Sequence, residues 1–319
     1  MKILKISTLF ALALLISGCE KTNYGPIVEE TYVHRYGVEV PAQDWAVKGQ
    51  SGKVITTLKN GVVCTKNVSS GILEGETSYT FPYSETVQKV ESYQNGNLEK
   101  MMAYYRSGKP TQEVIFNGQT RHVTKWYENG APQSKEEIEN EKLVNAHYYS
   151  PKNHLEAQII FGNGNRIQRD VYGQSLSVDT IQDGEMVLCA TTHSNGAPKD
   201  LIPYKNRVIE GELRTYLPAG EPNTIEMWYD GQKEGITLSF VNGEKYAEIP
   251  YISGLKHGIE KRFKDGKQLI EELTWNNDKR HGPSYSYIGD NKRTDWHFQD
   301  RLVTEKTFDL LDHGKTPKS

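Results

Sequence analysis

The sequence lacks the residue patterns that most enzymes and nucleic-acid-binding proteins carry. Its 319 residues include only three cysteines, and neither Cys-x-x-Cys nor His-Glu-x-x-His occurs. The net charge of −3 argues against the basic surface that nucleic-acid binding needs. No apolar run after the first 18 residues is long enough to span a bilayer. We therefore expect no catalytic residue, no cofactor, no bound metal and no nucleic-acid partner.

The N-terminus has the features of an export signal. A short basic region precedes the apolar run Leu9–Ile16, which is too short to span a membrane. The segment Ile16-Ser17-Gly18-Cys19 resembles the lipobox of bacterial lipoproteins. The resemblance implies cleavage of residues 1–18, lipid on Cys19 and a location in the bacterial cell envelope, with the outer membrane favoured. An ordinary signal peptide followed by an unrelated cysteine is the alternative.

A repeat of 11 or 12 residues runs from Leu58 to Phe298, and most of its key positions are aromatic. Turn dipeptides follow many of them, including Asn95-Gly96, Asn129-Gly130 and Asp265-Gly266. Asn-Gly and Asp-Gly favour the positive φ angles of tight hairpins, so each step predicts one strand and one turn. The fold class that we expect is all-β. It is an elongated antiparallel meander of about 20 short strands in an open or twisted single-layer sheet.

The repeat also sets the expected division of the chain. A polar tether with Gly25 and Pro26 precedes the array, and atypical units are expected at both ends because they must cover open edges. The expected segments are a signal peptide at 1–18, a tether at 19–30, an N-terminal cap at 31–57, the repeat array at 58–305 and a C-terminal tail at 306–319.

The repeat unit resembles the bacterial variant of the MORN repeat, as found in YwqK-like antitoxin-type proteins. The best copy is Gly254-x-x-x-Gly258 followed by Phe263 and Asp265-Gly266, and a second is Gly231-x-x-x-Gly235 with Phe240. The resemblance implies an array of hairpins. It does not specify an activity, because the same fold serves many functions.

Two candidate sites for chemistry are weak. Ser253 and Lys256 have the Ser-x-x-Lys spacing of acylating enzymes, but they lie on a repeat turn instead of at the start of a helix. His257 and His281 occupy equivalent turn positions about 10 Å apart in a sheet, which is too far to share a metal. We expect both histidines to be exposed turn residues. Cys64 and Cys189 lie too many strands apart for a disulfide and are expected to be unpaired.

The aromatic positions give the one functional indication. We expect the side chains of Phe240, Tyr251, Phe263 and Trp275 to share one side of the sheet as a candidate binding face. Thr237, Ser239, Glu248 and Arg262 are expected on the opposite side. The alternative is that the rings only stack from strand to strand as a core.

These features favour a non-catalytic, membrane-anchored lipoprotein that acts as a protein-binding or scaffold module of the cell envelope. Its expected partners are the membrane, through lipid on Cys19, and a protein of unknown identity. The alternative is an antitoxin-like inhibitor or an accessory subunit of an enzyme. A hydrolase is disfavoured because no nucleophile and base are visibly placed together.

Overall fold

The fold is all-β, as the sequence predicts, with 66% of the chain in strands and 5% in helices.

The structure is a computed structural model that describes residues 25–314, so the predicted lipid-attachment residue Cys19 lies outside the described residues. The chain divides into two compact units, which within the described part cover residues 25–98 and 99–314. The boundary falls within one strand, β7 (Asn97–Tyr104).

Unit 1 contains six complete strands and a short helix. Its strands pair antiparallel in the order β2-β1-β3-β4-β5-β6, so β1 has a partner on each side. The elements are β1 (Ile27–His34), β2 (Glu39–Val40), α1 (Ala42–Val47), β3 (Gly52–Leu58), β4 (Val63–Ser69), β5 (Ile72–Thr80) and β6 (Val87–Gln94).

Unit 2 is a meander in which each full-length strand pairs antiparallel with the next full-length strand. Its first strands are β7 (Asn97–Tyr104), β8 (Pro110–Asn117), β9 (Thr120–Trp126), β10 (Pro132–Glu139), β11 (Lys142–Tyr149), β12 (Leu155–Ile160), β13 (Asn163–Arg169), β14 (Ser175–Gln182), β15 (Glu185–Thr192) and β16 (Pro198–Lys205). Its later elements are β17 (Val208–Ile209), β18 (Gly211–Tyr216), β19 (Pro222–Tyr229), β20 (Gln232–Lys233), β21 (Gly235–Val241), β22 (Glu244–Ile252), β23 (Leu255–Lys256), β24 (Gly258–Lys264), β25 (Gln268–Asn276), β26 (Lys279–Ile288), β27 (Asn291–Phe298), β28 (Arg301–Val303) and α2 (Glu305–His313).

The described residues hold 28 strands, more than the 20 expected. Three of the additional strands, β17, β20 and β23, are two-residue strands that precede a longer strand, and β1 and β2 lie before the expected repeat array at 58–305. Each of β17, β20 and β23 pairs with the end of the strand before it, and the chain then continues into the longer strand. One step of the sequence repeat therefore holds two strand segments at these places.

The hairpin turns are of the predicted type. At Asn95-Gly96, Asp230-Gly231, Asn242-Gly243 and Asp265-Gly266 both turn residues have positive φ. This geometry matches the twist of the flanking strands, and Asn, Asp and Gly adopt it at low cost. Asn129-Gly130 differs, because only the glycine has positive φ.

Register shifts recur near the strand ends. They occur between Ser239 and Phe240, between Arg262 and Phe263, and between Thr180 and Ile181. An inserted residue bends a strand and interrupts the alternation of side chains between the two faces. The alternation of side chains before a bulge therefore does not predict which face the aromatic residue after the bulge occupies.

The ends of the chain differ from the expected segments. Residues 27–30, expected in the tether at 19–30, belong to β1. The expected cap at 31–57 also contains α1. The ring centre of Trp45 on α1 lies 5.4 Å from that of Tyr32. The expected tail at 306–319 contains most of α2. Thr304 caps this helix by accepting a hydrogen bond from the Thr307 amide, and Phe308 is buried. An apolar residue inside a capped segment explains why this stretch folds onto the sheet.

The core of unit 2 lies on one face of its strands. Around β11 to β14 it contains the apolar cluster of Leu143, Ala146, Tyr148, Ile159 and Ile181. Buried polar residues share this face, since Ser177 and Asp179 alternate with Ile181 on β14. We call this the inner face. In the second half of unit 2 it carries Leu213, Glu226, Thr237, Ala247, Glu260, Leu273 and Ser284, each at most 9% exposed.

Candidate functional site

The strand pairing corrects the predicted division between an aromatic and a polar side. Tyr251 lies opposite Gly235, and Thr237 lies opposite Ile249, so Tyr251 and Thr237 share the inner face. Trp275 shares that face with the buried Leu273, two residues away on the same strand. The prediction that Thr237 and Ser239 face away from Tyr251 and Trp275 is therefore wrong.

Arg262 also lies on the inner face, because it pairs with Ala247 and Glu271. Of the four residues expected on the opposite side, Glu248 is on the outer face, where it pairs with Leu238 and Lys261. The expectation is wrong for Thr237, Ser239 and Arg262 because polar side chains on these strands lie on the inner face and not on the solvent side. Thr237 is 4% exposed, whereas its neighbour Ile236 is 54% exposed.

Aromatic and basic residues alternate along the inner face of β19 to β26. Each aromatic residue near the end of a strand lies opposite a basic residue just after the turn. The pairs are Trp228 with Lys233, Tyr251 with Lys256, and Trp275 with Arg280. All six side chains are half-buried. We call this set the inner aromatic row.

The basic groups lie over the rings. The Nζ atom of Lys233 is 5.7 Å from the ring centre of Trp228 and 5.2 Å from that of Tyr251. Lys256 Nζ is 4.6 Å from the ring of Trp275, and the guanidinium of Arg280 is 5.7 Å from the same ring. These distances are within the range of cation–π attraction. The contacts therefore link successive repeats.

Two buried carboxylates anchor the basic groups. Glu226 accepts a hydrogen bond from Trp228 Nε1 and forms an ion pair with Lys233 Nζ, both at 2.9 Å. Glu260, 2% exposed, lies 2.8 Å from Arg262 Nε and 3.4 Å from Lys256 Nζ. Arg262 also contacts Glu271 at 2.8 Å. Such paired charges offset the desolvation cost of burying a carboxylate and hold the basic side chains in place.

The Tyr251 hydroxyl remains protonated in this environment. Burial raises its pKa, and the nearby Glu226 carboxylate raises it further. The row therefore presents aromatic surface, ammonium and guanidinium groups, and a phenolic hydrogen-bond donor. These are the groups that recognise the backbone carbonyls, carboxylates and apolar side chains of a protein.

The structure places Tyr251 and Trp275 in this row but not the two other candidate residues. Phe240 and Phe263 follow register shifts at the far ends of their strands, and both are half-buried. Lys245 Nζ lies 4.1 Å from the ring of Phe263. The expectation that all four rings line a single face is therefore wrong. The bulges before Phe240 and Phe263 separate these two rings from Tyr251 and Trp275.

The sequence contained a signal for the basic residues that the aromatic pattern alone missed. In each pair the basic residue follows the aromatic residue by five positions, at Trp228 and Lys233, Tyr251 and Lys256, and Trp275 and Arg280. A two-residue hairpin turn brings positions at this spacing opposite each other. Glu226 and Glu260 had no comparable signal, because an isolated glutamate in a strand is normally exposed.

The weak candidates for chemistry have structural roles. Ser253 lies in a turn with positive φ, and Lys256 contacts Glu260 instead of a nucleophile. His257 Nδ1 lies 3.3 Å from Asn277 Oδ1, and His281 Nε2 lies 2.9 Å from Asp312 Oδ1. Both histidines are half-buried and not exposed as expected. Within residues 25–314 no group of three or more His, Cys, Asp or Glu residues could hold a metal.

The two remaining cysteines are free, as predicted, and both are buried. In the part of the chain that the structure describes, no helix has the length and apolar character needed to cross a bilayer.

Comparison with known proteins identifies no family. No family model matches the chain, and no curated protein matches it. Among solved structures, a crystal structure of TcdB2-TccC3 matches with 13% identity over 76% of this chain and 15% of that chain, at a TM-score of 0.14. BamB from Moraxella catarrhalis matches with 9% identity over 78% of this chain and 82% of that chain, also at a TM-score of 0.14. At these TM-scores neither match identifies a fold or a function for this chain.

Proposed function

We propose that this chain is a non-catalytic lipoprotein of the bacterial cell envelope that binds a protein partner through the inner aromatic row. The lipobox-like segment ending at Cys19 supports the membrane anchor, and the MORN-like hairpin units support a binding array. The observation that carries the proposal is the row itself. It is a repeated set of half-buried aromatic and basic side chains on one face.

The composition of the row favours a protein partner. Trp, Tyr and Arg are the residues most enriched among those that dominate interface energy, and all three occur here. Ion pairs with Glu226 and Glu260 fix Lys233 and Lys256 before binding. Preformed side chains lose less entropy on association, so a partner meets a surface that is already ordered.

The test uses the full chain to retain partners from detergent-solubilised envelope membranes. Lys256→Ala and Tyr251→Phe should each reduce recovery of a specific partner, by roughly tenfold if the residue is an interface hot spot. Lys261→Ala removes the same charge from an exposed position on the opposite face and should leave recovery unchanged.

Melting temperatures separate binding from folding. Tyr251→Phe keeps the ring and removes only the hydroxyl, so it should bind less while melting near the wild-type temperature. Equal recovery by Tyr251→Phe, Lys256→Ala and wild type, together with a loss in Lys261→Ala, would reject the inner aromatic row as the binding site.

A further inference from the structure

The outer face of the same strands carries an exposed apolar surface. Met227, Ile236 and Ile259 are the direct chain neighbours of the buried inner-face residues Glu226, Thr237 and Glu260. Because successive residues of a strand point to opposite faces, these three side chains point outward. They are 43%, 54% and 51% exposed. Pro250 lies opposite Ile236, and Thr274 lies opposite Ile259, so neutral side chains continue across the strands. We call these five residues the outer apolar row.

The helix α2 already covers one end of this face. Trp296 pairs with Pro283 on the outer side of β26 and β27, because the adjacent pair Ser284 and Asp295 is on the inner side. The ring of Phe308 on α2 lies 5.1 Å from that of Trp296 and is 7% exposed. Within the molecule, the outer face therefore accepts an amphipathic helix.

Three further contacts fix the same helix. Phe308 packs against His281 at 5.2 Å and Phe298 at 6.2 Å, and Asp312 Oδ1 lies 2.9 Å from His281 Nε2. One buried aromatic residue and one flanking carboxylate thus attach this helix of nine residues to the sheet. The outer apolar row continues this face over strands that α2 does not cover.

We infer that the outer apolar row is a second docking surface, and that it accepts an amphipathic helix of a partner protein. From β19 to β25 the row crosses four strand spacings, or about 19 Å. This span matches about 13 residues of helix. Charges of both signs flank the row at Glu248, Lys261 and Glu272, so the polar edges of a helix with mixed charge would fit beside it.

The inference does not depend on the inner aromatic row. The two surfaces lie on opposite faces of the same strands, and each can be changed without changing the other. A chain that uses both would hold two partners at once, which is the property of a scaffold.

The probe for the test is a synthetic, fluorescent peptide with the sequence of residues 304–314. A hydrocarbon staple between positions 305 and 309, both exposed on α2, keeps it helical. Binding to the full chain is measured by fluorescence anisotropy. We expect saturable binding to the wild-type chain and at least tenfold weaker binding to Ile259→Asp. A peptide carrying Phe308→Ala should also bind at least tenfold more weakly.

Ile288→Asp is the matched control, because Ile288 is 75% exposed and lies outside the outer apolar row. It introduces the same charge and should bind the peptide like the wild type. The inference is overturned if the wild-type chain does not bind the stapled peptide. It is also overturned if Ile259→Asp binds normally, or if Ile288→Asp weakens binding equally.

Discussion

The ammonium group of Lys256 lies 4.6 Å from the ring centre of Trp275, a residue of the next hairpin. The same ammonium group lies 3.4 Å from the buried carboxylate of Glu260. Lys256 therefore joins an aromatic surface to a buried charge, and Lys233 does the same with Trp228 and Glu226. A single-layer sheet gains much of its order in this region from such cross-strand contacts, each worth roughly 0.2–1 kcal/mol.

The first prediction concerns the buried carboxylate of Glu260. Replacing Glu260 with alanine leaves Arg262 and Lys256 without their buried partner, and we expect a loss of about 3 kcal/mol in the free energy of unfolding. Urea unfolding measures it. Glu244→Ala, at an exposed position of β22, should change the free energy by less than about 0.5 kcal/mol. Equal stability of the two variants would show that Glu260 is not an anchor.

The second prediction concerns thiol reactivity. Burial raises the pKa of the Cys189 thiol to about 12, with a further contribution from Asp179, and burial also raises the pKa of Cys64. Since the thiolate is the reactive form, neither cysteine should react with an aromatic disulfide reagent at pH 8 in the folded chain. Both should react at once in urea. Rapid labelling of the folded chain would contradict the burial of these residues.

The third prediction is a pH dependence of stability. Burial lowers the pKa of His297, and the nearby Arg280 lowers it further. The unfolded chain then binds a proton near pH 6.5 while the folded chain does not, so stability is complete above that pH and falls as the pH is lowered through it. His297→Gln should reduce this loss in thermal melts between pH 7.5 and 5.5.

The control for that dependence is His154→Gln, because His154 is exposed. It should retain the wild-type pH profile. A His297→Gln chain that loses as much stability on acidification as the wild type would mean that another group is responsible.

The fourth prediction concerns the anchor. Cys19→Ala should remove the site of lipid attachment, so the chain leaves the membrane fraction and a slower-migrating precursor accumulates. Cys64→Ala makes the same substitution at a buried cysteine and should remain in the membrane fraction. Identical fractionation of Cys19→Ala and wild type would reject the lipoprotein proposal.

The sequence was sufficient to predict the all-β meander because its strongest signals are local. Asp265-Gly266 and Asn242-Gly243 specify tight turns without help from the rest of the chain. The faces were harder to predict. Thr237 and Glu260 are buried because other strands satisfy or surround them, and strand pairing over two or three hairpins determines that environment.

Helix α2 illustrates the same limit. Its Thr304 cap and its Phe308 are visible in the sequence, but the helix is stabilised by Trp296 and His281 on the sheet. An isolated helix of this length is only marginally stable. Its position therefore depends on tertiary contacts, which a tail of charged and polar residues does not reveal.

The most direct test of the proposed function is site-specific photo-crosslinking of the full chain in bacterial cells. The photoreactive residue p-benzoylphenylalanine replaces Tyr251 on the inner face or Lys261 on the outer face. We predict that the inner aromatic row gives a discrete adduct with a protein from position 251, and that position 261 does not give this adduct. The same adduct from position 261, with none from position 251, would contradict the proposal that the inner aromatic row binds the partner.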